Sequence, residues 1–328
     1  MKVSILGAGS WGTALAIHLA RSGHDVLLWG RDPEVASRIA QERRHPRRLP
    51  DIDVPDAVRT TVDLADAFDH SETVLLSVPC AAMREVLEAA PGPDSRARRF
   101  VSTAKGIEPE TLKRMTEIVL ERYPSASVAA LSGPTFAEGV ARGDPSAAVI
   151  ADRGESFARD LQRQFSNAQL RLYSSSDVTG VELAGALKNV IAIAAGIVSG
   201  LGFGHNTLAA LVTRGLAEIG RIVVAFGGEM RTVHGLAGIG DLMLTATGRQ
   251  SRNRHLGEQI GRGRILAEIL PEMPEVAEGV RTCLAVPTIA ARAGVEAPIS
   301  EVVGQVLYEG CEPREGVARL MTRALRSE

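Results

Sequence analysis

The chain has 328 residues, enough for two ordinary domains each with its own core, and 45% hydrophobic against 23% charged residues is a globular composition that argues against large-scale disorder. A formal net charge of −2 with scattered basic residues argues against a nucleic-acid binder, since the one dense group, Arg43-Arg44-His45-Pro46-Arg47-Arg48, lies in an apparent loop without interleaved aromatics. Cys80, Cys283 and Cys311 are far apart and form no Cys-x-x-Cys pair, which indicates neither a disulfide framework nor a metal site and fits a reducing cytosol.

The N-terminus, Met1-Lys2-Val3-Ser4-Ile5-Leu6-Gly7, reaches a glycine-rich turn after very few apolar residues, too short a run for a signal segment or a membrane span. The first half then alternates short β-branched runs with amphipathic stretches, predicting strands at Val3–Leu6, Val26–Trp29, Thr73–Val78, Phe100–Thr103, Val128–Leu131 and Ala147–Ile150. That is the pattern of a parallel sheet covered by helices on both faces. From about Asp177 the β runs give way to long helical periodicity with glycine-rich joints, and no repeat or long linker intervenes. The long uncharged stretch from Asn189 to Gly204 carries four glycines and reads as a buried helix and loop, not a membrane helix.

Gly7-Ala8-Gly9-Ser10-Trp11-Gly12 follows the first strand and opens a helix, the context in which such glycines allow a tight turn and close approach to a pyrophosphate, with free helix N–H groups facing the anion. A dinucleotide is therefore expected on Gly7, Gly9 and Gly12. After the second strand the chain reads Trp29-Gly30-Arg31-Asp32, with arginine where an NAD site usually has an acid. A guanidinium there can pair with a 2′-phosphate, so NADP is favoured, while Asp32 leaves NAD open. Lys105, on a turn after the strand at Phe100–Thr103, could hold a phosphate or polarise a carbonyl. Gly133 and Thr135, after the next strand, could donate an N–H and a hydroxyl to a polyol or phosphate.

In the second half, Glu182-Leu183-Ala184-Gly185-Ala186-Leu187-Lys188-Asn189 places an amine and an amide in an apolar segment with no further charge until Arg214. A buried ammonium must be neutralised, paired or used, which makes Lys188 a candidate catalytic lysine. Gly238-Ile239-Gly240-Asp241 reads as a turn into a helix, with Asp241 either a simple N-cap or part of a site. Downstream, Thr245-Ala246-Thr247 and Ser251-Arg252-Asn253 offer hydroxyls, a guanidinium and an amide suited to a phosphate monoester, with Arg252 as the main anchor.

Taken in order, Gly-Ala-Gly-Ser-Trp-Gly-Thr-Ala-Leu-Ala, Thr-Ala-Lys-Gly-Ile-Glu, Leu-Ser-Gly-Pro-Thr-Phe-Ala, Gly-Ala-Leu-Lys-Asn-Val, Leu-Ala-Gly-Ile-Gly-Asp-Leu and Ser-Arg-Asn resemble the bacterial NAD(P)-dependent sn-glycerol-3-phosphate dehydrogenases, from Lys2 to about Leu320. The resemblance implies an α/β fold: an N-terminal Rossmann-type doubly wound sheet over residues 1–178, then an all-helical domain of the 6-phosphogluconate dehydrogenase C-terminal type over 179–328; the absence of a long linker predicts that the two pack tightly with a cleft between them. The resemblance also implies a cytoplasmic homodimer that reversibly converts dihydroxyacetone phosphate to sn-glycerol 3-phosphate for phospholipid synthesis. Lys188 would accept the proton, with Lys105, Gly133, Thr135, Asp241, Ser251, Arg252 and Asn253 around the substrate. Ser10, Trp11, Arg31, Lys105, Ala137, Arg252, Val276 and Glu278 would touch the cofactor, NADP or NAD. The chain departs from the pattern at Ala246, where relatives often carry cysteine.

Two other readings stay open on the residues. One is a different two-domain dehydrogenase acting on a β-hydroxy acid or on 6-phosphogluconate, whose substrate would carry a carboxylate. The other is a dinucleotide sensor without turnover, for which Lys188 and Asp241 would be superfluous.

Overall fold

Runs of Val, Ile and Leu in the first half form strands buried on both faces, as a sheet covered by helices requires. The structure, a computed structural model, describes residues 1–49, 51–273 and 277–325. The chain divides into two compact units, Met1–Ala104 with Lys113–Val181, and Lys105–Leu112 with Glu182–Glu328.

The first unit runs β1 (Lys2–Leu6), α1 (Ser10–Arg21), β2 (Asp25–Trp29), α2 (Pro33–Glu42), β3 (Val58–Thr61), α3 (Leu64–His70), β4 (Thr73–Leu76), α4 (Cys80–Ala89), β5 (Arg99–Ser102), α5 (Met115–Arg122), β6 (Ser127–Ser132), α6 (Ala137–Arg142), β7 (Ser146–Ala151), α7 (Ser156–Phe165) and β8 (Leu170–Ser175). Its eight strands form one sheet in the order β3-β2-β1-β4-β5-β6-β7-β8. The order reverses between β1 and β4, so the loops leaving those strands diverge there and open a crevice at their carboxyl ends.

All neighbours pair in parallel except β6 and β7, where Leu131 faces Ile150 in an antiparallel ladder. This corrects the expectation of a wholly parallel sheet. β3 and β8 were not expected as strands; they form the two edges of the sheet, where one side of the ladder needs no partner and the apolar signal is diluted. Two apolar clusters cover the sheet, one around Ile5, Ile17 and Leu28, the other around Leu76, Phe68 and Phe100.

The second unit holds α8 (Val178–Gly200) from Glu182 onward, then α9 (His205–Ala225), α10 (Met230–Val233), a π-helical turn (Leu236–Gly240), α11 (Asp241–Thr247), α12 (Arg252–Gly261), α13 (Leu266–Ile269), a 3-10 turn (Leu270–Glu272), α14 (Glu278–Ala293), α15 (Pro298–Tyr308) and α16 (Pro313–Met321). α8 is long and apolar enough to cross a membrane but is buried along its length by protein. A fully buried isoleucine such as Ile193 contributes about 2 kcal/mol of burial free energy, and α8 carries several.

Glycines let α8 and α12 approach backbone to backbone. A Cβ on Gly257 would stand 2.0 Å from Ile193 O, and one on Gly196 would stand 2.0 Å from Arg254 O, so neither position admits a side chain without separating the helices. α9 and α15 are tied by a buried carboxylate: Glu218 accepts from Ile299 N at 2.9 Å and Ser300 N at 3.0 Å, satisfying N–H groups at the start of α15 that have no intrahelical partner.

The segment Lys105–Leu112, expected with residues 1–178, belongs to the second unit. Ile107 is part of that unit's core, and the Asn189 side chain donates to Lys105 O at 2.9 Å. Burial of Ile107 and that hydrogen bond outweigh its place in the chain just after β5.

Candidate active site

In the first unit, β1 leads into a turn that is glycine for steric reasons. Gly7 has φ +114°, and a Cβ there would lie 2.6 Å from Ser77 O; a Cβ on Gly12 would lie 1.9 Å from Gly7 O. At Gly9 the corresponding space is open, with no heavy atom within 4 Å. The first turn of α1 has neither a side-chain cap nor an acidic residue, so its N–H groups face that space. A dinucleotide pyrophosphate fits these features. Ser10 and Trp11 form the first turn of α1 and Ala137 begins α6; all three are half-buried, and Trp11 and Ala137 pack against the same apolar cluster.

Arg31 is exposed just beyond β2 and makes no ion pair among the described residues. Asp32 caps α2, accepting from Glu34 N at 3.0 Å and Val35 N at 3.4 Å. Gly133 has φ +147° with Ala148 Cα 2.8 Å from where a Cβ would stand, so only glycine fits after β6. Thr135 donates both its N–H, at 2.8 Å, and its hydroxyl, at 3.2 Å, to Gly133 O. In this conformation the threonine offers an acceptor, where the sequence had suggested a donor.

In the second unit, one carboxylate gathers two amines. Lys188, from the buried middle of α8, donates to Asp241 Oδ1 at 2.8 Å, and Lys105 donates to Asp241 Oδ2 at 2.7 Å. Asp241 is the first residue of α11, as expected, but its side chain turns to the lysines and makes no cap contact. Lys188 also donates to Thr245 Oγ1 at 2.6 Å, and that hydroxyl in turn donates to the backbone Asp241 O at 2.6 Å.

Burial is the largest influence on Lys188 and disfavours its charge. Asp241 opposes this, while the positive Lys105 and Arg252 add to it, and the amine is pulled down to about 8. Burial alone would push the Asp241 carboxyl up, but Lys105 and Lys188 together hold it below the usual carboxylate range. The asymmetry follows from sharing: the carboxylate is surrounded by two cations, and each cation has half a counter-ion.

An amide chain fixes this centre. Asn189 Nδ2 donates to Lys105 O at 2.9 Å, Asn253 Nδ2 donates to Asn189 Oδ1 at 2.9 Å, and Gly279 N donates to Asn253 Oδ1 at 3.0 Å. Asn253 is buried and its amide joins α8, α12 and the start of α14. Ser251 caps α12, accepting from Arg254 N at 3.2 Å. Arg252, the first residue of α12, is exposed, and Glu278, the first of α14, is half-buried. Val276 lies outside the described residues.

Thr245 is the residue whose task the sequence reading missed, having been grouped with the phosphate-binding hydroxyls. The available signal was spacing: positions 241 and 245 of one helix share a face, so a threonine four residues beyond Asp241 stands beside it.

Family models match along most of the chain: the NAD-dependent glycerol-3-phosphate dehydrogenase N-terminus over residues 2–158 and the corresponding C-terminus over residues 177–318. Glycerol-3-phosphate dehydrogenase (NAD(P)+) 1 of Salinibacter ruber is 46% identical across 100% of this chain and 97% of its own. The glycerol-3-phosphate dehydrogenase (NAD(P)+) of a Geobacter species is 48% identical across 100% of this chain and 98% of its own. Among solved structures, glycerol-3-phosphate dehydrogenase from Coxiella burnetii superposes with a TM-score of 0.92 at 36% identity, covering 98% of this chain and 99% of its own.

Proposed function

The chain belongs to the NAD-dependent glycerol-3-phosphate dehydrogenase family, and from that premise we propose that it interconverts dihydroxyacetone phosphate and sn-glycerol 3-phosphate with Lys188 as the proton-transfer group. The observation that carries the assignment is the Lys188–Asp241–Lys105 cluster, which holds a buried amine at about 8.

An amine of that strength is neutral in roughly a tenth of molecules at pH 7, enough to accept the alcohol proton in one direction and to donate it in the other. Asp241 fixes the ammonium form in place and Thr245 fixes its direction, so little reorganisation accompanies the transfer. Lys105, paired with the far oxygen of Asp241, would stabilise developing negative charge on the substrate oxygen.

Arg252 and the N-terminal turn of α12 suit the phosphate, with Ser251 and Asn253 shaping that turn. Gripping a group remote from the reacting carbon converts binding energy into alignment. Gly7, Gly9, Gly12, Ser10, Trp11, Arg31 and Ala137 would hold the dinucleotide, whose nicotinamide supplies or takes up the hydride. Of the NAD(P) pair we favour NADP because Arg31 is the open charge beyond β2.

The same reading makes the protein a cytoplasmic homodimer supplying glycerophospholipid synthesis. Oxidation of NADPH and NADH with dihydroxyacetone phosphate, against 2- and 3-keto acids, tests the reading directly. Turnover confined to the phosphate ketone is expected; turnover only with a keto acid would overturn it.

A further inference from the structure

The basic loop 43–48, which no role above absorbs, is built onto the dinucleotide turn. His45 is 3% exposed, and its Nε2 lies 2.8 Å from Ala8 O, inside the Gly7–Gly12 turn. On its other side Nδ1 lies 3.2 Å from Arg47 N and 3.1 Å from Arg48 N. Two backbone donors make Nδ1 an acceptor, so the proton sits on Nε2 and is given to Ala8 O. Burial lowers the pKa of His45 and so favours this neutral form. The histidine thereby holds the backbone of Arg47 and Arg48 in fixed register with the turn.

From that anchored position, Arg47 Nη1 reaches Asp32 Oδ2 at 3.1 Å, and Nη2 reaches Glu34 Oε2 at 3.2 Å. Asp32 Oδ1 is already taken by the first N–H groups of α2. Asp32 thus carries its cap contacts on Oδ1 and an ion pair with Arg47 on Oδ2, so its charge is already countered before a ribose 2′-hydroxyl arrives. Arg31, one residue earlier, has no carboxylate partner among the described residues.

We propose that Arg47, anchored through His45, is a specificity-determining residue that withholds Asp32 from the cofactor ribose, so that the adenosine 2′ position is read by Arg31 and a 2′-phosphate is preferred over a 2′-hydroxyl. The inference rests on the dehydrogenase reading above and deepens it. Exposed ion pairs contribute little stability, and none is required here: what matters is where the acid's second oxygen points when the cofactor arrives. With Arg47 removed, Oδ2 becomes an acceptor for a ribose hydroxyl and a like charge to a 2′-phosphate, and both effects move selectivity toward the unphosphorylated cofactor.

The test is a titration of the full-length protein with NADPH and with NADH for wild type, Arg47→Ala, and Arg47→Ala combined with Asp32→Asn; asparagine keeps the cap on α2. The ratio of the two dissociation constants should move toward NADH on the order of tenfold in Arg47→Ala, the scale of one hydrogen bond to a charged group, and return most of the way in the double variant. An unchanged ratio, equal weakening of both cofactors, or no recovery on adding Asp32→Asn would each overturn the proposal. Turnover of dihydroxyacetone phosphate by the wild-type protein is measured alongside. Its absence would count against the dehydrogenase reading alone, because the binding ratio does not depend on which substrate is reduced.

Discussion

Lys188 and Asp241 form an ion pair almost closed to solvent, their side chains 6% and 2% exposed, and the lysine is nevertheless the easier of the two to neutralise. Desolvation of the ammonium exceeds what a carboxylate already shared with Lys105 can return. A pair built this way leaves an amine that titrates near neutrality instead of a locked salt bridge, which is what the proposed proton transfer requires.

The pH dependence follows in sign. Glycerol 3-phosphate oxidation needs the neutral amine, so its kcat/KM should rise with pH and level off above about 8; reduction of dihydroxyacetone phosphate needs the ammonium and should fall over the same range. Because the folded value lies below the ordinary 10.5, the folded state binds fewer protons than the unfolded chain between about 8 and 10.5. Lys188 therefore costs stability in full below that window and progressively less as the pH rises through it. Initial-rate profiles in both directions check the kinetic part, and denaturant melts of wild type and Lys188→Met check the second.

Asp241→Asn removes the charge that raises the Lys188 value, so the kinetic midpoint should move below about 8 while kcat falls. It also leaves two amines without their common counter-ion, a loss on the order of 3 kcal/mol in the melt. A midpoint that stays in place would show that the carboxylate does not govern the amine.

Much of this arrangement is legible in the residues. The tight turn at Gly7–Gly12 after the first strand is readable from its glycines, and the structure supplies the reason for the first of them: only glycine tolerates Ser77 O at 2.6 Å. Lys188 stands out because an apolar helix has no other reason to carry an amine. The antiparallel β6–β7 pair was hidden, since Ser146–Ala151 looks the same whichever way it runs beside its neighbour. So was the transfer of Lys105–Leu112 to the helical unit, which depends on a hydrogen bond to Asn189, eighty-four positions away in sequence.

Gly257→Ala tests how helix contact supports the site. Its Cβ would meet Ile193 O at 2.0 Å, so α12 must shift from α8, costing about 2 kcal/mol and moving Arg252 and Asn253 away from the helix that carries Lys188. A lower melting temperature with a raised KM for dihydroxyacetone phosphate is expected. Unchanged kinetics would make this glycine a packing residue only.

Arg31→Ala should weaken NADPH by on the order of tenfold and NADH much less, since a guanidinium gains most from a 2′-phosphate. Isothermal titration with both cofactors provides the comparison. Equal losses would assign Arg31 to adenine stacking.

The most direct measurement is turnover of dihydroxyacetone phosphate by Lys188→Ala, read with a cofactor titration on the same preparation. The account predicts a kcat reduced by about 10² to 10⁴, the usual worth of a positioned acid or base, with NADPH binding close to wild type. A variant that turns over at nearly the wild-type rate would contradict it.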